Sequence, residues 1–205
     1  MIFSTRCAGC RSRGPVLCRT CRFALVARPA PRAPGDIVVA TGYTGRVRDV
    51  LLGLKYQNRR PVAAHVAGLL AGRLGRTADD VDDVDVVTWA PTSARRRHDR
   101  GFDQAELIAR AVAAHLGLPC RRLLERDGAN EPQTGRSRRD RLAGPAFRAS
   151  PKVAGRRVLV IDDIVTTGAT LQSAAAALQR AGARHVGLAA VAATPGCLLP
   201  SELVA

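Results

Sequence analysis

VLVIDDIVTTGAT, residues 158–170, is the stretch on which the fold of this 205-residue chain turns. Four aliphatic residues, Val158 to Ile161, read as a strand buried on both faces, as in parallel sheets. The run stops at two adjacent carboxylates, Asp162 and Asp163. Ile164 and Val165 follow, then five small residues, Thr166, Thr167, Gly168, Ala169 and Thr170. A helix is expected from about Thr170 to Ala181, stopped by Gly182. In open α/β sheets ligands bind at the carboxyl ends of strands, where this loop would lie. Its backbone N–H groups and the helix dipole suit a phosphate dianion. Gly168 permits the left-handed conformation of such a cradle, and the threonine hydroxyls add donors. A phosphate cradle alone leaves the two acids unexplained. Ionised carboxylates only accept hydrogen bonds, so beside an anion site they suit a ligand with paired hydroxyls next to its phosphate. A ribose 5-phosphate has that layout. The plainer alternative makes Asp162 a turn or cap residue and Asp163 a solvated acid.

Strand and helix patterns alternate upstream and downstream. IVVAT (37–41) reads as a short strand. From Thr44, the residues Val47, Val50, Leu51 and Leu54 have helical spacing, and Val62 to Leu74 continue as a second helix after Pro61. Val84 to Trp89 form a strand whose end leads into APTSARRRHDRGF. Residues 103–116 form an amphipathic helix ending at Gly117. RRLLER (121–126) is a short strand or edge segment, and HVGLAAVAA (185–193) a final strand. This order implies an α/β fold with a mainly parallel central sheet flanked by helices. Residues 127–145 are polar and without periodicity, and a loop of that length inside a domain is a candidate lid.

Composition narrows the class of ligand. The formal charge is +15, and only Lys55 and Lys152 are lysines among 32 basic residues. Such a chain seeks phosphate, on a polyanion or on a small phosphorylated substrate. An ordinary solvated surface rich in arginine is the plainer reading. No run approaches the roughly 18 apolar residues of a membrane span, so no membrane insertion is expected. The N-terminus MIFSTRCAGC lacks an apolar signal core, and a cytoplasmic location is the expectation. Cys7 with Cys10 (CAGC) and Cys18 with Cys21 (CRTC) form two C-x-x-C pairs, the spacing of a structural four-cysteine Zn²⁺ site. Two disulfides or redox thiols are the alternative, which a cytoplasmic location disfavours. Cys120 and Cys197 read as small apolar residues. The Pro-rich linker 27–35 then separates a zinc-binding segment, 1–26, from a second domain, 36–205.

At every position VLVIDDIVTTGAT resembles the phosphoribosyl-pyrophosphate (PRPP) signature of type I phosphoribosyltransferases: four hydrophobics, two acids, two hydrophobics, then Thr-Thr-Gly-x-Thr. Together with Cys7–Cys21, GLKY (53–56), RGFDQAELIA (100–109) and QTGRSRRDR (133–141), it makes the chain resemble the ComF/GntX-like family. That family joins an N-terminal cysteine knuckle to a phosphoribosyltransferase domain. The resemblance implies the type I phosphoribosyltransferase fold. It also implies displacement of pyrophosphate from PRPP by an acceptor, with Mg²⁺ accompanying the PRPP. PRPP would be bound by Asp162, Asp163, Ile164, Val165, Thr166, Thr167, Gly168, Ala169 and Thr170. Pyrophosphate would meet the loop Ala90–Arg97, often built on an unusual peptide geometry. There Thr92, Ser93, Arg95 and Arg96, with Arg97 beside them, fit an anion clamp, since guanidinium forks match phosphate oxygens. Arg100, Asp162 and Asp163 are the candidate catalytic residues, and 127–145 the lid that excludes water. Related 6-oxopurine enzymes carry an Asp at the place of Thr166, so hypoxanthine and guanine are not expected as acceptors. Two positions depart from the family pattern. Asp103 replaces an Asn in the RGFNQ stretch, and Leu142 stands near a missing Asn.

ComF-type proteins are associated with DNA uptake in competence, which opens a second reading. The chain would then bind PRPP or a nucleotide without turnover, and contact single-stranded DNA or DNA-uptake proteins. Stacking aromatics are scarce at 3%, with Trp89, Phe102 and Tyr56 the candidates near the loops. Hydrolysis of PRPP itself is a third reading. The acceptor, the oligomeric state and the physiological process leave no readable pattern.

Overall fold

Aliphatic runs buried on both faces need helices on both sides of a sheet, and the computed structural model has that layering. It describes residues 6–27, 33, 35–57, 59–75, 83–127 and 145–197. In chain order the elements are α1 (Arg19–Val26), β1 (Val38–Gly42), α2 (Gly45–Tyr56), α3 (Val62–Leu74), β2 (Val86–Trp89) and α4 (Ala94–Arg100). There follow α5 (Gln104–Leu116), β3 (Leu124–Arg126), β4 (Phe147–Ala149), β5 (Arg157–Val165), α6 (Ala169–Arg180) and β6 (His185–Ala193). Four strands pair in the order β1-β6-β5-β2, all parallel, while β3 and β4 form a separate antiparallel pair.

Side chains alternate across β5, as strand geometry requires. Leu159 and Ile161 face one apolar layer, shared with Val50, Leu51 and Leu54 of α2, Val66 and Leu70 of α3, and Ile108 and Val112 of α5. Val158 and Val160 face the other, shared with Leu171, Ala174 and Leu178 of α6 and with Leu124 and Phe147 of the small hairpin. With few aromatics available, the core is built from Val, Leu, Ile and Ala. The cysteine knuckle joins the first layer: Cys7, Ala8, Leu17, Cys21 and Leu25 are buried against α2. Gly53 makes this approach feasible, because a Cβ there would lie 2.9 Å from the Ala8 carbonyl oxygen.

Most expected elements form with boundaries shifted by a residue or two. The helix expected over 62–74 is α3, and that over 103–116 is α5, capped by Asp103 and closed by Gly117 at φ 68°. Three segments differ. The strand expected to stop at Ile161 continues to Val165, so the two acids lie within β5 rather than at its tip. The nine-residue β6 runs alongside and carries the pairing on, with Asp162 opposite Ala190 and Ile164 opposite Ala192. The stretch after β2, expected as a loop, contains α4. Ser93 accepts from the Arg96 N–H at its start, and Gly101 adopts φ 72° at its end. Of RRLLER only Leu124–Arg126 is strand, paired with Phe147–Ala149. Most of the linker 27–35, residues 128–144 of the expected lid with Leu142, and the tail 198–205 lie outside the described residues.

Candidate functional site

Strand β5 delivers its acids between two adjoining concave regions. The smaller, about 30 Å³, is lined by Asp162 and by Ile164 to Leu171. Here the chain turns from β5 into α6 through Gly168, at φ 80°. The Ala169 N–H donates to Thr167 Oγ1 at 3.3 Å. Among the described residues, the N–H groups of Thr166, Thr167 and Gly168 donate to no protein acceptor. A turn of free amides at the positive end of a helix is an anion cradle.

The larger region is a cleft of about 190 Å³. Its walls carry Lys55, Arg96, Arg100 and Arg126 as cations, and Asp103, Asp162 and Asp163 as acids. Asp162, Ile164 and Thr170 line both regions, so cradle and cleft adjoin. The two acids differ in state. Asp163 pairs with Lys55 at 2.8 Å, both side chains being largely shielded. Asp162 accepts from the Asp163 N–H at 2.7 Å. Burial first, then the charge of Asp163, push the Asp162 carboxyl well above the usual carboxylate range, against that N–H and Lys55.

The loop after β2 is tied down by Asp103. One carboxylate oxygen accepts from the Thr92 N–H at 2.8 Å; the other accepts from the Ala105 and Glu106 N–H groups at the start of α5. Burial raises its pKa despite these three donors. Every peptide among the described residues is trans, so the unusual peptide geometry expected here is absent from them. Thr92 and Arg96 line the cleft. Ser93 spends its hydroxyl on capping α4, and Arg95 is exposed outside the lining. Arg100 is held by its neighbours: Nη1 donates to Gln104 Oε1 at 2.8 Å and Nη2 to Tyr56 Oη at 3.3 Å, with the guanidinium over the Tyr56 ring. Because Arg only donates, this contact fixes the Gln104 amide, whose buried Nε2 has no partner among the described residues.

Lys55, Gln104 and Arg126 were not among the candidates drawn from the sequence. GLKY and RGFDQ stood there only as family segments. The one available signal was a lysine, one of only two, in a chain otherwise rich in arginine.

The four N-terminal sulfurs, Cys7, Cys10, Cys18 and Cys21, all lie within 4.8 Å of one another. This matches a tetrahedral thiolate site, which needs sulfurs on one centre rather than paired in bonds. The Cys18 N–H donates to Cys7 Sγ at 3.4 Å, and the Ser12 hydroxyl beside Cys10 lowers that thiol to about 6. Burial raises the Cys21 thiol. No helix among the described residues is long and apolar enough to cross a membrane.

Comparison with known proteins bears on this arrangement. A family model described as the phosphoribosyl transferase domain matches residues 103–204. The DNA utilization protein YhgH of Salmonella typhimurium is 31% identical over 156 residues, covering 73% of this chain and 68% of that protein. The chain belongs to the ComF/GntX-like family of type I phosphoribosyltransferases. Another relative, the competence protein ComFC of Bacillus subtilis, is 34% identical over 99 residues, 47% of this chain and 39% of that protein. Among solved structures, a purine phosphoribosyltransferase from Pyrococcus horikoshii matches 67% of this chain and 77% of its own, at 17% identity and TM-score 0.44. Membership of the family accounts for a cysteine cluster and a phosphoribosyltransferase domain in one chain.

Proposed function

We propose that the protein binds PRPP and transfers its phosphoribosyl group to an acceptor other than hypoxanthine or guanine. One observation carries this reading: Asp162 lies where an anion cradle adjoins a cleft walled by four cations. The 5-phosphate occupies the amides of Thr166, Thr167 and Gly168. The ribose hydroxyls meet Asp162 and Asp163, and the pyrophosphate extends toward Thr92, Arg96 and Arg100. The bond from C1 to the pyrophosphate oxygen breaks with its electron pair leaving on pyrophosphate, and the acceptor forms the new bond to C1. The protein contributes orientation and charge at the departing group, and little proton chemistry. Mg²⁺ bound with PRPP would add neutralising charge there. Zn²⁺ on the four cysteines would be structural, since all its ligand positions are filled by sulfur. Thr166 supports the acceptor restriction, because its hydroxyl cannot take a proton from a 6-oxopurine at neutral pH.

Calorimetric titration with PRPP and Mg²⁺, followed by pyrophosphate release with a panel of bases and other nucleophiles, tests the reading. The double variant Asp162→Ala, Asp163→Ala is expected to lose at least about tenfold in PRPP affinity with its fold intact. Unchanged affinity would sink the assignment of the acids. Efficient release with hypoxanthine or guanine would sink the acceptor restriction.

The charge of +15, together with relatives named for DNA utilization and competence, favours a second reading. In it the protein binds PRPP without turnover and handles single-stranded DNA in uptake. Affinity for single strands that falls steeply with salt, and that ignores the double Asp variant, is its mark.

A further inference from the structure

Lys55 is one of two lysines among 32 basic residues, and it stands at the last turn of α2 inside the cleft. Its ammonium is 2.8 Å from Asp163 Oδ2, with the two side chains 17% and 14% exposed. The groups sharing the cleft are the acids Asp162 and Asp103 and the guanidinium groups of Arg96, Arg100 and Arg126. Lys55 also lies outside the segment that matches the phosphoribosyl transferase domain, which starts at residue 103.

An acid that is to hold a sugar hydroxyl is here already occupied by a cation. The occupant is a lysine in a chain whose basic residues are otherwise arginine except for Lys152, and the chemical difference is informative. A guanidinium grips a carboxylate with a rigid two-pronged fork, whereas an ammonium is a compact charge on four rotatable bonds. The first would stay, and the second can be displaced to a nearby anion.

We propose that Lys55 is a transferable cation, neutralising Asp163 in the free protein and passing to the pyrophosphate oxygens when the ribose displaces it. The inference rests on the PRPP reading above and adds a leaving-group contact to it. Ribose 5-phosphate must break the same ion pair yet offers no pyrophosphate in return. Removing the ammonium therefore separates the two ligands.

Calorimetric titration of wild type, Lys55→Met and Lys55→Gln with PRPP and with ribose 5-phosphate, both with Mg²⁺, tests this. The variants are expected to lose about tenfold or more for PRPP, the scale of a hydrogen bond between charged groups. Their affinity for ribose 5-phosphate should stay level or rise. Equal losses for both ligands would make Lys55 a structural support of Asp163 and overturn the proposal, as would undiminished PRPP binding. Wild-type protein that binds neither ligand overturns the PRPP reading itself. Thermal melts of the same samples identify any variant that fails to fold, and the second substitution then decides.

Discussion

Asp103 uses both carboxylate oxygens on backbone N–H groups, one on Thr92 and the other on the first turn of α5. An Asn, the residue that the family resemblance implies here, has one acceptor oxygen and one NH₂ group. In either orientation its NH₂ would face a backbone N–H, so this chain needs the acid. Asp103→Asn is expected to cost about 1–3 kcal/mol, the price of an unmatched buried donor. Thermal melts should show a drop of several degrees, and an unchanged melt would contradict the two-sided tie. Asp162 makes a prediction of opposite sign. Folding raises its pKa, so its stabilising contribution is full below the unfolded value near 3.9 and is lost as pH rises through the folded one. Asp162→Asn keeps an acceptor for the Asp163 N–H and carries no charge. It is expected to melt above wild type at pH 8 and to match it near pH 4. A gap that ignores pH would contradict the assignment. Neither role was legible beforehand: Asp103 read as a departure from a family pattern, and the two acids of β5 read alike.

Elements were legible in proportion to their periodicity. α3 and α5 carry apolar residues at helical spacing and were delimited closely. α4, with the sequence ARRRHDR, has no buried residue and so no stripe to read. Its marks are its ends, Ser93 as a cap and Gly101 in the left-handed region. The β3–β4 pair is three residues per strand, too short for alternation to register. The expected β5 stops four residues short at its carboxyl end, because charge inside a strand looks like its end. Helix α2 shows what periodicity does not reveal. Its apolar stripe predicted a buried helix, yet Gly53 receives the cysteine knuckle, Lys55 reaches Asp163, and Tyr56 receives Arg100.

At the scale of the molecule, α2 therefore links the sulfur cluster to the cleft. Loss of a metal from the four cysteines is expected to loosen the knuckle and with it the seat of Lys55. Cys10→Ser, or chelation of the purified protein, should lower zinc content and stability, the latter by several kcal/mol in order of magnitude. PRPP affinity should fall in the same samples. A lower melting temperature with unchanged PRPP affinity would show that the two regions are independent. The sequence by itself determined the alternation of strands and helices, the Gly168 turn into α6 and the grouping of the four N-terminal cysteines. Each of these is written in neighbouring residues, through hydrophobic period, backbone freedom or C-x-x-C spacing. Only the tertiary structure decided that Lys55 meets Asp163, that Tyr56 and Gln104 hold Arg100, and that Gly53 admits Ala8. Lys55 and Asp163, Tyr56 and Arg100, and Gly53 and Ala8 are far apart in the chain and meet only in the folded molecule, while Arg100 reaches Gln104 across the break between α4 and α5, so none of these contacts leaves a periodic trace.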